Sequence, residues 1–178
     1  MIIALAGRRV DAAGAKPARF PLQNVDLVRT RVRAMLEAQG AKVLVCSAAC
    51  GADLLALSEA GSLDLRRRIV LPFDRKRFRD TSVMDRPGDW GAEYDRILDD
   101  VQAKGDLVMT ETTADLEEYS AANLAILDEA ASLAKQLHYP TCAALVWDGV
   151  SRGAHDITEQ FGIEARKRGL AVIEVKTL

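Results

Sequence analysis

Apolar residues along this chain fall into two alternating rhythms. Short, nearly unbroken apolar runs recur at residues 2–6, 43–46, 68–72, 106–109, 143–147 and 171–175. None alternates in and out as a half-exposed strand does, so each predicts a strand covered on both faces. Between them the spacing changes to that of helices. Val25, Val28, Val32, Met35 and Leu36 form one stripe, with Arg29, Arg31 and Arg33 pointing elsewhere. Tyr94, Ile97, Leu98 and Val101 form a second. From 115 to 138, Leu116, Tyr119, Ile126, Leu127, Ala130, Leu133 and Leu137 make a long third. Gly40, Gly61, Gly105 and Gly169 sit where these helices should stop. Strands alternating with helices predict an α/β, Rossmann-like three-layer fold with a central, mainly parallel sheet of about six strands. No repeat or linker divides the chain, so residues 1–178 read as a single domain. Two connections, 8–22 and 80–91, are long enough in a compact domain to predict a functional role.

Composition narrows the picture. Apolar residues make up 49% of the 178 positions, enough for a two-sided core. No apolar run approaches the roughly 20 residues of a membrane-spanning helix, and the start lacks the charged lead-in of a secretory signal. Cys46, Cys50 and Cys142 are an odd set that argues against a disulfide framework, so a reducing cytoplasm is expected. With only His138 and His155 beside them, no metal site is predicted. The chain contains neither a Walker lysine motif nor a G-x-G-x-x-G turn, which excludes the ordinary ATPase and dehydrogenase readings; no cofactor is called for. Charge is uneven: residues 1–88 carry 16 Lys and Arg against 9 Asp and Glu, and residues 89–178 carry 8 against 17. That polarity orients an anionic ligand towards the first half, or it marks two solvated faces of opposite sign. The density of basic and aromatic residues falls short of a dedicated nucleic-acid binder, which argues against DNA as a partner.

The chemistry concentrates where strands end. Residues 43–61, VLVCSAACGADLLALSEAG, join a strand to a helix through a turn almost free of side-chain bulk. The main-chain N–H groups of Ser47, Ala48, Ala49, Cys50 and Gly51 can cradle a phosphate there, at the positive end of a helix dipole. Asp53, at the helix start, can cap amides or accept from a ribose hydroxyl. Tight strand–helix packing is the competing explanation for the small residues. Gly7 ends the first strand, so Arg8 and Arg9 emerge on the ligand side, where a guanidinium can grip phosphate through two parallel bonds. Arg9 can equally pair with a surface carboxylate such as Asp11. Arg19 is a lesser candidate on the same loop. Arg75, Lys76, Arg77 and Arg79 are interspersed with aspartates and read as a solvated run. Thr81, Ser82 and Trp90 lie on a loop that can close over a base, with Trp90 alternatively a hydrophobic plug. Tyr119 and Asn123, four apart on an apolar stripe, either bond a neighbouring loop or reach a ligand. The stretch 148–159, DGVSRGAHDITE, opens the last helix and is a second phosphate turn through Arg152 and Gly153.

SAACGAD with the following LLALSEA resembles the Gly-rich turn and helix of the SLOG superfamily, which includes the cytokinin-activating LOG enzymes, DNA-processing proteins of natural transformation and nucleotide-sensing domains. GRRVD (7–11), RFP (19–21), LPF (71–73), SV (82–83), Tyr119 with Ala122 and Asn123, and WDG (147–149) through Asp156 are similar to an uncharacterised, signalling-type branch. The resemblance implies a Rossmann-like domain that senses a nucleotide or nucleotide-derived ligand. That branch usually has histidine where this chain has Arg8, which keeps a donor and loses a titratable group. LOG-type phosphoribohydrolases carry P-G-G-x-G-T-x-x-E at the second turn. Here Ile157 takes the glutamate's place, with Asp156 one residue before it and Glu159 two after, so Asp156 and Glu159 are the catalytic candidates of an alternative N-glycosidase reading. SLOG-type domains often pair through helix faces, and helix 115–138 offers such a face for a homo-oligomer.

Overall fold

The structure is a computed structural model describing residues 1–110 and 115–178, with side chains in the second stretch from Tyr119 onward. Leu116 of the predicted stripe lies outside the described side chains. Six strands, β1 (Ile2–Gly7), β2 (Val43–Cys46), β3 (Arg66–Leu71), β4 (Leu107–Met109), β5 (Thr141–Trp147) and β6 (Val172–Lys176), form one sheet in the order β4-β3-β2-β1-β5-β6. Every pairing is parallel. The helices are α1 (Val25–Ala38), α2 (Ala52–Ser62), α3 (Arg75–Ser82), α4 (Gly91–Ala103), α5 (Asp115–Leu137) and α6 (Ile157–Lys167).

The pleat divides the core in two. Ile3, Leu5, Leu44, Cys46, Ile69 and Leu71 pack under α1, α2, α3 and α4, whereas Ile2, Ala4, Val43, Val45 and Val70 face α5 and α6. Both faces of β1 and β2 are therefore covered, which accounts for their unbroken apolar sequence. Among the described residues no helix is long and apolar enough to cross a membrane. The chain builds outwards from β1 through β2, β3 and β4 on one side, then returns through α5 to start β5 on the other side. The order thus reverses between β1 and β5, and the loops after those strands diverge above that point.

α3 falls in a segment read as a solvated charged run. Its single core anchor is Phe78, and Asp74 caps it by accepting from the Arg77 N–H. Three of the predicted stops, Gly40, Gly105 and Gly169, take the left-handed conformation just after helices. Gly61 does not: it lies inside α2, and Asp64 takes the left-handed position beyond that helix. The opposed charges of the two halves meet across the fold instead of forming separate faces. Arg66 and Arg68 bond Asp106, Arg67 bonds Asp100, Arg75 bonds Asp99 and Arg79 bonds Asp95.

Gly51 fixes the geometry of the first turn. Its φ is 97° with ψ −124°, a region open essentially to glycine. A Cβ there would lie 2.7 Å from the Val10 nitrogen and 2.9 Å from the Arg8 carbonyl oxygen. Gly51→Ala is expected to cost about 2–4 kcal/mol in urea unfolding, because backbone blocks the methyl on both sides. Gly61→Ala is the control and is expected to cost under about 1 kcal/mol, since its methyl meets only the movable guanidinium of Arg67.

Candidate functional site

A cavity of about 370 Å³ opens over the carboxyl end of β1. Its floor is Leu5, Ala6 and Gly7, and its walls come from the turns after β2 and β5 together with α3 and α5. The two turns do not touch adjacent strands of one pair; they flank β1 from either side. Gly7 allows this closeness. A Cβ on it would fall 2.3 Å from the Ala52 Cβ and 2.8 Å from the Val146 carbonyl oxygen. Ala52, at the start of α2, is thus packed directly against the end of β1.

Within that turn the side chains divide. Ser47, Ala49 and Asp53 line the cavity. Ala48 and Cys50 are fully buried in the core instead, and neither they nor Gly51 belong to the lining. The amides divide too. Ala49 N–H donates to Asp53 Oδ2, Cys50 N–H to the Ser82 carbonyl and Ala52 N–H to the Arg8 carbonyl. The N–H groups of Ser47, Ala48 and Gly51 have no acceptor among the described residues. Burial pushes the Cys50 thiol up to about 11, against the pull of Arg9, so it stays protonated at neutral pH.

At the second turn the structure assigns Arg8 a different task from the one its sequence position suggests. It is only 3% exposed. Its Nη1 and Nη2 donate to the two carboxylate oxygens of Asp156 at 2.6 and 2.7 Å, Nε donates to Asp148 at 3.1 Å and Nη2 also reaches the Val150 carbonyl. Asp156 is wholly buried and caps α6, accepting from the N–H groups of Thr158, Glu159 and Arg152. Burial alone would raise its pKa. The two Arg8 bonds and the backbone donors outweigh that and bring it down to about 2. With five N–H bonds on two oxygens, Asp156 has no capacity left to exchange protons with a ligand. Glu159 accepts from the Ser151 hydroxyl and is not part of the lining, whereas Ile157 and Thr158 are. Gly153 is exposed and outside the lining, with its N–H on the Ser151 hydroxyl. Arg152 does line the cavity; its side chain is 52% exposed and only 3.7 Å contact ties it to Asp156.

Tyr119 and Asn123 both line the cavity and both are anchored. The Tyr119 hydroxyl pairs with that of Ser82 at 2.8 Å, and its ring packs edge-on against Phe73. Asn123 donates to the Ile157 carbonyl, fastening α5 to the start of α6. Of the second long loop, Trp90 is a plug, buried with its Nε1 on the Pro87 carbonyl. Thr81 and Ser82 belong to α3 and line the cavity.

The residues that sequence reading missed or ranked low are cationic. Arg9, Arg19 and Arg86 join Arg8 and Arg152 in the lining. Arg9 pairs with Asp85 through two bonds, at 2.8 and 3.0 Å, and not with Asp11. Asp11 instead holds the loop by accepting from the N–H groups of Arg19 and Phe20. Arg19 bonds Asp148 and the Val150 carbonyl. Arg86 lies 3.4 Å from Asp85, too poorly aligned for a hydrogen bond, and its Nε has no acceptor among the described residues. Five arginines thus face one cavity while three aspartates, Asp85, Asp148 and Asp156, pair with them. Nothing in the local sequence of Arg86 marks it, because its place in the lining is set by the fold.

No family model, curated protein or solved structure matches the chain, so the SLOG resemblance stands on its residues alone.

The Arg8–Asp156 pair makes a direct expectation. Asp156→Asn leaves a buried guanidinium partly unpaired and weakens the cap, and is expected to destabilise the fold by about 3–5 kcal/mol at pH 7. The folded pKa lies below the usual carboxylate value, so the stabilisation is present above that value and is lost as pH falls towards about 2. The gap between variant and wild type in urea unfolding should therefore shrink steadily from pH 5 to pH 2.5.

Proposed function

We propose that this cavity binds a nucleotide or nucleotide-derived ligand, with its phosphates above the first turn and its base or ribose against Tyr119. The observation that carries the reading is the convergence of five arginines on a cavity at the strand-order reversal. Small-molecule sites on parallel α/β sheets form at that place, and about 370 Å³ is within their usual range. Arg8 is an organiser here. The cations available to a ligand are Arg152, half exposed and loosely held, and Arg9 and Arg86, which share Asp85. A phosphate can replace the Asp85 carboxylate on Arg9 without leaving the guanidinium unpaired. The amide of Ser47, which lines the cavity and has no acceptor among the described residues, adds a neutral donor near the N-terminus of α2. Leu5, Val10, Phe78 and Ile126 supply apolar lining for the uncharged part of the ligand.

Binding without turnover is the reading this geometry favours over N-glycosidic hydrolysis. The hydrolytic alternative needs a carboxylate at the second turn able to face the sugar, and Asp156 is enclosed while Glu159 is turned away to Ser151. Isothermal titration of nucleotide-stripped protein against AMP, ADP, ADP-ribose and the cyclic ADP-ribose isomers is expected to give a saturable heat with at least one member. Arg86→Ala with Arg152→Ala should weaken that binding at least tenfold and flatten its dependence on salt. Heat from no member of the panel would contradict the proposal, and release of free base detected by chromatography would overturn the preference for binding over hydrolysis.

A further inference from the structure

The two turns each place an aspartate at the first turn of a helix, and the two aspartates have opposite surroundings. Asp156 accepts five N–H bonds, two of them from a guanidinium. Asp53 is also buried, at 7% exposure, and it receives a single bond, 3.2 Å long, from the Ala49 N–H to Oδ2. Its Oδ1 has no partner among the described residues, and the residue lines the cavity. Among the described residues no arginine hydrogen-bonds it.

That arrangement conflicts with the reading above if Asp53 is ionised. A phosphate held over residues 47–51 would then lie beside a second negative charge in a poorly solvated site, which is repulsive. Neutral Asp53 removes the conflict, because the free oxygen then carries a proton and becomes a donor. We infer that Asp53 is the specificity-determining residue of the cavity and meets the ligand as the neutral acid, donating its own proton to a ligand oxygen, so that an anionic ligand is bound together with one proton. This inference rests on the proposed binding of a nucleotide-type anion and adds the chemical form in which the site receives it.

The surrounding charges are consistent with this. Arg9, just beyond β1, is the cation acting on Asp53, and its guanidinium is already occupied by Asp85. Arg86, on the loop after α3, shares that same aspartate. The thiols of Cys46 and Cys50, beneath and beside the turn, are held protonated by burial. Arg67 of β3 faces Cys46 and bonds Asp100 of α4. Among the described residues, α5 and α3 bring uncharged polar groups to this cavity: the paired hydroxyls of Tyr119 and Ser82, with Asn123 and Thr81. Burial raises Asp53 to about 7, with the Ala49 N–H and Arg9 pulling weakly the other way. A bound anion raises it further. The acid form is therefore present below about pH 7, and above that pH the ligand must recruit a proton, so affinity falls as pH rises.

ADP-ribose is a suitable probe because its pyrophosphate diester keeps a constant charge between pH 6 and 8. Wild-type affinity is expected to drop about tenfold between those limits, with up to one proton taken up per ligand at pH 8, read from titrations in buffers of different ionisation heat. Asp53→Asn imitates the neutral acid in shape and charge. It is expected to bind equally well at pH 6 and pH 8, to match wild type at pH 6 and to take up no proton. A pH dependence that persists in Asp53→Asn belongs to another group and overturns the assignment. Wild-type binding that is flat in pH, or an Asn variant weakened at both limits, overturns it as well while leaving nucleotide binding intact. Binding to no member of the nucleotide panel at any pH overturns the parent reading instead. Carbon NMR of the Asp53 carboxyl in ligand-free protein gives an independent check: a midpoint near neutrality is expected, and one in the ordinary carboxylate range defeats the proposal whatever the ligand does.

Discussion

The buried guanidinium of Arg8 is the interaction on which the cavity side of this fold depends. It leaves the tip of β1 and ties down the turn after β5 at three points, the carboxylates of Asp148 and Asp156 and the carbonyl of Val150. Asp156 in turn caps α6, so one ionic contact joins the central strand, the second turn and the last helix. Burying such a pair costs desolvation that its own attraction only roughly offsets. Its value lies in geometry. An apolar pair of equal volume could hold β1 and α6 together, but it would not orient three backbone N–H groups around one carboxylate.

That commitment divides the arginines of the cavity into those that build it and those that can act in it. Arg8 and Arg19 secure the loops through Asp148. Arg9, Arg86 and Arg152 keep partial exposure and exchangeable or distant partners. The uneven charge of the two halves of the chain finds its explanation here and elsewhere on the sheet. Basic residues of the first half and acidic residues of the second meet across it, as Arg68 does with Glu129 of α5 and Arg75 does with Asp99 of α4. Around the cavity five arginines are paired by three aspartates. A guanidinium with a loosely held partner in a concave, partly desolvated place acts on an anion more strongly than the same charge on an open face.

The strands were legible in the sequence because each is covered on both faces, so burial demanded continuous apolar residues; the three-layer parallel architecture followed from their alternation with helices. α3 was not legible. RKRFRDTS has one apolar residue to bury, and the available signal was Asp74 standing at its N-cap. The site was legible in place but not in role. Gly7, Ser47 and Asp53 could be assigned to the cavity because strand ends and small-residue turns are local features. That Arg8 would spend its charge on Asp156, 148 residues away, could not be read locally. Nor could the availability of Arg86, which the fold alone carries into the lining. Asp156 and Asp53 look alike in sequence, an acidic residue at a helix start; only the number of donors that the fold brings to each sets them apart.

The central claim is that the surplus arginines, and not Arg8 itself, receive an anion over the turn after β2. A crystal structure of the protein grown with saturating ADP-ribose tests this most directly. The account predicts phosphate density within hydrogen-bond reach of Arg152 or the Arg9–Arg86 pair and of the Ser47 amide, with the Arg8–Asp156 pair unbroken. Phosphate bound directly on an Arg8 released from Asp156, or a cavity without ligand while density lies elsewhere on the molecule, would contradict it.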